Sequence, residues 1–287
     1  MEYMEFKKQL VEELKKAFPH CTIDEVAEDK IAIKEEGKDV APVLRVDEIY
    51  QKDKEIDEDK IAAIVHLLNK AIEDAPKIDR ERISSWEHMK DLLFIRLLPT
   101  ERVQEEIIRF PLTESVSCVI SIEIENGGII NINKELCDAW GKTKVEVIET
   151  AKHNRDERYT GIIEDVTSRL LKIGQEQELD EDIDLFIKIA NEREAEDRQF
   201  IVSNSRGILG AGCIIQPETQ SELEKIFGGR FIIMPSSVHE VIVSKYSEDD
   251  IEDIREMIRE VNHDMQNPRD FLCDNPMIYE NGAIREV

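Results

Sequence analysis

The chain is short of positive charge. It carries 38 Lys+Arg against 64 Asp+Glu in 287 residues, a formal net charge of −26. Binding duplex DNA without sequence preference requires a basic face that displaces counterions from phosphate, so the composition excludes that class of function. Anionic membrane surfaces are excluded on the same electrostatic ground. Long apolar runs are missing as well: none approaches the roughly 18 residues of a transmembrane helix. The opening Met1-Glu2-Tyr3-Met4-Glu5-Phe6-Lys7-Lys8 lacks the basic start and apolar core of a secretory signal. Cysteine is sparse. The five residues Cys21, Cys118, Cys137, Cys213 and Cys273 are scattered, with no Cys-x-x-Cys pair, which argues against a disulfide framework or a zinc ribbon. Cys118 and Cys213 lie in apolar runs, where a thiol acts as a small core residue, and a cytoplasmic setting is expected.

Complete catalytic motifs are missing too. His239-Glu240-Val241-Ile242-Val243 begins like the zincin His-Glu-x-x-His, but Val243 stands where the second imidazole is needed. Gly207, Gly210 and Gly212 invert the dinucleotide fingerprint, and Ile215 takes the place of its third glycine. Close strand packing or a bulge explains those glycines better. No Walker A sequence and no Gly-x-Ser-x-Gly elbow occurs. Asp180–Asp184 has the charge of a calcium loop, yet Leu185 and Asn191 replace the required glycine and glutamate. No metal and no cofactor is therefore implied.

What is present reads as an α/β (α+β) protein, with mixed sheets of hairpins covered by helices. Hydrophobic residues make up 41% of the chain, enough to build a sizeable core despite the charge. Met4, Phe6, Leu10, Val11, Leu14, Ala17 and Phe18 give a helical stripe that Pro19 ends. Short strands are expected at Ile31–Lys34 and Val43–Val46, and a helix from Asp57 to Asp74 with Asp57 as its N-cap. Leu92–Leu98 reads as a buried strand, and Thr100 with Glu101 and Glu105 as the start of a helix. Phe110-Pro111-Leu112 marks a junction between subdomains 1–110 and 111–287.

Beyond that junction, Ser115–Glu125 is rich in β-branched residues and forms a hairpin with Ile129–Ile132 through Asn126-Gly127-Gly128. Helices are expected over Lys134–Trp140, over Thr143–His153 behind a capping box, and over Gly161–Ile173. Trp86 and Trp140 are expected to anchor the core. The acidic Gln175–Asp184 reads as a solvated loop. A hairpin–helix–hairpin follows: Phe200–Val202 with Ile208–Ile215, the helix Pro217–Phe227, then Phe231–Ile233 with Val238–Val243. A terminal helix covers Glu248–Asp264, and a short strand Met277–Glu280.

One polar constellation stands out. Asn204, Ser205 and Arg206 occupy the first hairpin turn; Ser236, Ser237, His239 and Glu240 lie at the second. Turns favour such residues for backbone reasons alone, and a strand-borne His239 sharing a face with Val241 and Val243 fits a hydrogen-bonded, partly buried imidazole. Two functions follow. In the first, the chain is a non-enzymatic cytosolic binding or regulatory protein whose acidic surface captures a basic protein partner or mimics nucleic-acid charge. In the second, the turns converge on a small-molecule or hydrolytic site: His239 as base, Ser236 or Ser237 as nucleophile, Arg206 as anion stabiliser. Missing motifs favour the first.

Several segments together carry a resemblance. Met4-Glu5-Phe6, Leu136–Ala151 around Trp140-Gly141-Lys142-Thr143, Ser203–Ile215, and above all Pro235-Ser236-Ser237-Val238-His239-Glu240-Val241-Ile242 belong to it. Arg259-Glu260-Val261-Asn262 and Asn267-Pro268 complete it. The chain resembles, over nearly its whole length, an uncharacterised family of roughly 300-residue proteins, a domain of unknown function from gut Firmicutes and their mobile elements. More distantly, it is similar to a Bacillus family of unknown function. The resemblance implies a shared α/β fold and a bacterial or phage cytosolic setting, and assigns no site residue.

Overall fold

The first helix, α1 (Tyr3–Ala17), follows from its apolar spacing: Phe6, Leu10 and Leu14 are fully buried along one face. In the computed structural model, which describes residues 2–38, 40–52, 55–75, 78–124, 128–154, 157–170, 197–265 and 267–287, this helix belongs to the first of two compact units. That unit comprises residues 1–83 and 124–128. Its antiparallel sheet has the order β1 (Cys21–Ala27), β2 (Lys30–Glu35), β3 (Val43–Arg45), followed by α2 (Val46–Lys52). Ile31 and Ile33 of β2 are fully buried with α1, and Ile64 and Leu68 of α3 (Glu58–Glu73) close the same core. Asp57 caps α3, accepting from the Lys60 N–H at 2.7 Å.

The second unit comprises residues 84–123 and 129–287. Its centre is β6 (Val116–Glu123), whose Val116, Val119, Ile120 and Ile122 have no solvent exposure. β4 (Leu93–Pro99) pairs with one edge of β6; β5 (Arg109–Pro111) and β7 (Ile129–Asn131) share the other. β5 is where a junction was expected. It hydrogen-bonds into this sheet, and the chain divides near Ser84 instead, because β4 and β6 form one ladder from Leu93↔Ile122 to Pro99↔Val116.

Next come α4 (Lys134–Trp140), ended by Gly141 at φ 61°, and α5 (Lys144–His153), begun by the Thr143–Glu146 capping box. Trp140 is buried, and Trp86 packs on it with ring centroids 5.5 Å apart. The second sheet has six strands: β8 (Gly161–Asp165), β9 (Phe200–Asn204), β10 (Arg230–Pro235), β11 (Val241–Lys245), β12 (Met277–Glu280) and β13 (Ala283–Glu286). Their spatial order is β13-β12-β10-β11-β9-β8 and every ladder is antiparallel. The fold class is α+β. Helices α6 (Pro217–Phe227) and α7 (Ile251–His263) complete the described elements used below.

Three expected elements differ. The helix at Thr100 is only a 3-10 turn, Thr100–Arg102, because the next residues turn back towards an isolated bridge between Ile107 and Asn133. Gly161–Ile173 begins as strand β8, paired with β9 along its length; residues 166–170 are helical, and the rest lies outside the described residues. Ile208–Ile215 is not a returning strand: Gly210–Ile215 winds as a 3-10 segment. A Cβ at Gly212 would lie 2.5 Å from the Ile95 carbonyl oxygen, so this segment lies backbone-to-backbone on β4. Asn126, Gly127 and Gln175–Asp184 fall outside the described residues.

Candidate functional site

The first turn is a self-contained bracket. β9 delivers Ser203 and Asn204 into the interior, each 5% exposed. Asn204 Oδ1 accepts from the Arg206 N–H at 3.0 Å, and its Nδ2 donates to the Ile208 carbonyl at 2.8 Å. Its side chain thus supplies the turn's hydrogen bonds, while Gly207 takes the left-handed backbone at φ 63°. Ser205 and Arg206 are exposed. Arg206 Nη1 reaches Glu123 Oε2 at 2.7 Å, an atom that also accepts from Arg158 Nη1 at 2.9 Å and the Tyr159 hydroxyl at 2.8 Å. The Glu123 side chain is 8% exposed. The Arg206 hydrogen bond, supported by Tyr159, holds its carboxyl below the ordinary range despite burial. Burial, with Glu123 close by, pushes the Tyr159 phenol up.

The second turn is built the same way. Ser236 and Ser237 are half-buried; Ser237 Oγ accepts from the His239 N–H at 3.1 Å, and its own N–H donates to the Glu240 carbonyl at 3.1 Å. Glu240 pairs with Arg169 at 2.9 Å. His239 precedes β11 rather than standing on it, so the expected strand face shared with Val241 does not exist. Its Nδ1 accepts from the Leu209 N–H at 3.0 Å, which places the ring proton on Nε2, facing Asp270 Oδ1 at 3.2 Å. Leu209 has φ 56°, a costly backbone for a branched residue, and the His239 bond helps hold it there.

The two turns therefore meet. The His239 carbonyl accepts from Ser203 Oγ at 2.8 Å and from the Gly210 N–H at 2.9 Å, and its ring from Leu209. They meet as a hydrogen-bonded joint. A cavity of about 630 Å³ beside the first turn is lined by Asn204, Ser205 and Arg206 but by none of Ser236, Ser237, His239 and Glu240. A serine relay needs one imidazole nitrogen on the hydroxyl and the other on the acid. Here a backbone amide occupies the first and Asp270 the second, while Arg206 is bonded to Glu123. Among the described residues no group of three or more His, Cys, Asp or Glu is placed to hold a metal. Glu123, Asp270 and Arg169 escape sequence reading because 83, 31 and about 70 positions separate them from their partners, with no motif to link them.

A different surface lies on α7. Ile258 is buried and Ile251 and Ile254 half-buried, while Met257 and Val261, one turn apart, are 45% and 56% exposed. Asp253, Glu256 and Glu260 are exposed along one side of this pair, and Glu252 lies towards the far face of the helix. Residues 248–264 hold eight acids against Arg255 and Arg259, and Arg255 pairs with Glu252.

A family of unknown function, DUF5688, matches residues 3–281. The chain belongs to this family. The DUF5688 match runs through both compact units, in keeping with the near-complete coverage of the resemblance read from the sequence. No curated protein and no solved structure matches the chain. Membership in DUF5688 thus carries no activity, ligand or site residue. Among the described residues, no helix is long and apolar enough to cross a membrane.

Proposed function

We propose that this DUF5688 chain is a non-enzymatic binding or regulatory protein of the bacterial cytosol, and that the outer face of α7 engages a basic protein partner. The observation that carries the reading is the composition of that face: Met257 and Val261 form a small exposed apolar pair flanked along one side by the carboxylates Asp253, Glu256 and Glu260. Scattered exposed apolar residues are ordinary, but an apolar pair flanked by carboxylates matches an apolar partner surface with lysine or arginine along one edge. The intramolecular engagement of His239, Arg206 and Glu240 supports the same choice, since the groups that hydrolysis would use already have protein partners.

The test uses the full chain and a labelled amphipathic helical peptide with a leucine stripe and lysine flanks. Its affinity is expected to fall at least about tenfold between roughly 50 mM and 500 mM salt, as screening shortens the reach of the carboxylates. A variant with Glu252→Gln, Asp253→Asn, Glu256→Gln and Glu260→Gln is expected to lose a comparable factor at low salt. Equal binding by this variant, or equal binding of a peptide with glutamate flanks, overturns the reading.

A further inference from the structure

We propose that the second unit holds a binding site for a small amphipathic carboxylate, of the size of a medium-chain fatty acid or an arylalkanoate. The site is a cavity of about 260 Å³, open to solvent on one side, bounded by β4, the end of α5 and the Gly210–Ile215 segment. Its walls are mainly apolar, with Phe94, Phe110, Leu112, Tyr159, Ile215 and Ile284 contributing most of the side-chain bulk. A cavity of about 150 Å³ lined by apolar side chains accommodates benzene, so simple scaling gives this one room for about ten non-hydrogen atoms. Octanoate has that size.

The polar residues decide the ligand's class. Asn154 Nδ2 donates to the Lys90 and Leu93 carbonyls, at 2.7 and 2.9 Å. Gln216 accepts from the Gly161 N–H and donates to the Tyr159 carbonyl, and Gln220 Nε2 donates to the Ile214 carbonyl. These amides hold the wall together. Lys152 alone among the described lining residues is charged. Its ammonium lies 5.0 Å from the centre of the Phe110 ring and 2.9 Å from Glu149, in a pair whose side chains are 43% and 52% exposed. An exposed pair three residues apart on a helix is weak, so a carboxylate arriving over the apolar cavity can compete with Glu149 for the ammonium. An apolar body in the cavity and an anionic head at Lys152 satisfy both halves of the site. This inference is independent of the α7 surface.

The test is calorimetric titration of the full chain at about 150 mM salt, where the net negative charge is screened beyond roughly 8 Å. The probes are octanoate, octanol and octylammonium. Octanoate is expected to bind at one site with a Kd of about 0.1 mM, and the other two at least about fivefold more weakly. Lys152→Met, which keeps the stem, is expected to weaken octanoate about tenfold and leave octanol within a factor of two. Ile215→Trp, which fills the cavity, is expected to abolish binding of all three; Ile284→Trp replaces it if circular dichroism shows loss of fold. No saturable octanoate binding overturns the site. Equal affinities of octanoate and octanol, unchanged by Lys152→Met, overturn the carboxylate class, and undiminished binding by a folded cavity-filling variant overturns the location.

Discussion

Replacing Glu123 with glutamine keeps the side chain's shape and removes its charge, and three donors then lose an anionic acceptor at once. Arg158, Tyr159 and Arg206 converge on the single atom Oε2 at 2.9, 2.8 and 2.7 Å. A hydrogen bond to a charged group is worth about 1.5–3 kcal/mol, and breaking a buried pair leaves its partner's desolvation uncompensated. The arginine side chains, however, are 40% and 35% exposed, so water takes back much of what each loses. The Tyr159 residue is 8% exposed and stacks on Phe94 at 3.8 Å, so its hydroxyl has less access to solvent. The net expectation for Glu123→Gln is about 2–3 kcal/mol at neutral pH. For a unit of about 200 residues that corresponds to a Tm lower by roughly 4–12 °C.

The pH dependence gives a sharper test. The folded-state pKa of Glu123 lies below its unfolded value, so its contribution is fully present above the unfolded pKa of about 4.3 and is lost as pH falls through the folded one. Urea unfolding of wild type and variant should therefore differ at pH 7 and converge as the pH falls from about 4.3 through the lower folded-state pKa of Glu123. A cost under about 0.5 kcal/mol at pH 7, or a difference that stays constant into acid, would refute the assignment of Glu123 as the charged centre that holds Arg158, Tyr159 and Arg206.

Two further outcomes follow from packing. Gly212→Ala sets a Cβ 2.5 Å from the Ile95 carbonyl oxygen, a backbone atom that cannot swing aside, and is expected to cost about 2–3 kcal/mol; a variant melting within a degree of wild type would show that the 3-10 segment does not lie on β4. Burial pushes the Cys118, Cys213 and Cys273 thiols up to about 12 and raises Cys137, while Cys21 is half-buried and also raised, so native protein at pH 7.5 should react with an aromatic disulfide at no more than one thiol quickly and at all five once denatured. Fast native labelling of two or more thiols would contradict the burial.

Local structure was legible wherever the stabilising contacts are close in sequence. The α1 stripe, the Asp57 cap, the Thr143–Glu146 capping box and the Gly141 terminus all depend on residues within about four positions of one another. Strand β1 gives no such signal, because most of its residues are exposed and it reads as Cys-Thr-Ile-Asp-Glu-Val-Ala. The β12–β13 hairpin did carry one: Asn281 and Gly282 both have positive φ, the pairing that a tight two-residue hairpin requires. The polar constellation was legible as a set of residues but not as a geometry. Ser203 and Gly210 bond to the His239 carbonyl, but the side chains of Asn204 and Arg206 bond within their own turn and to Glu123, and those of Ser237 and His239 within theirs and to Leu209 and Asp270.

The sequence by itself determined the α+β class, most element positions, the dispersed thiols and the acidity, because hydrophobic periodicity and capping act over a turn or a strand. Only the tertiary structure decided that β5 belongs to the second unit, that Gly210–Ile215 winds instead of pairing, and that the two polar turns form a joint rather than an open pocket. The last two outcomes rest on contacts between residues some 30 to more than 100 positions apart: Gly212 against Ile95, His239 against Leu209, Arg206 against Glu123. No short-range pattern encodes such pairings, since each depends on where entire strands settle when the core is buried.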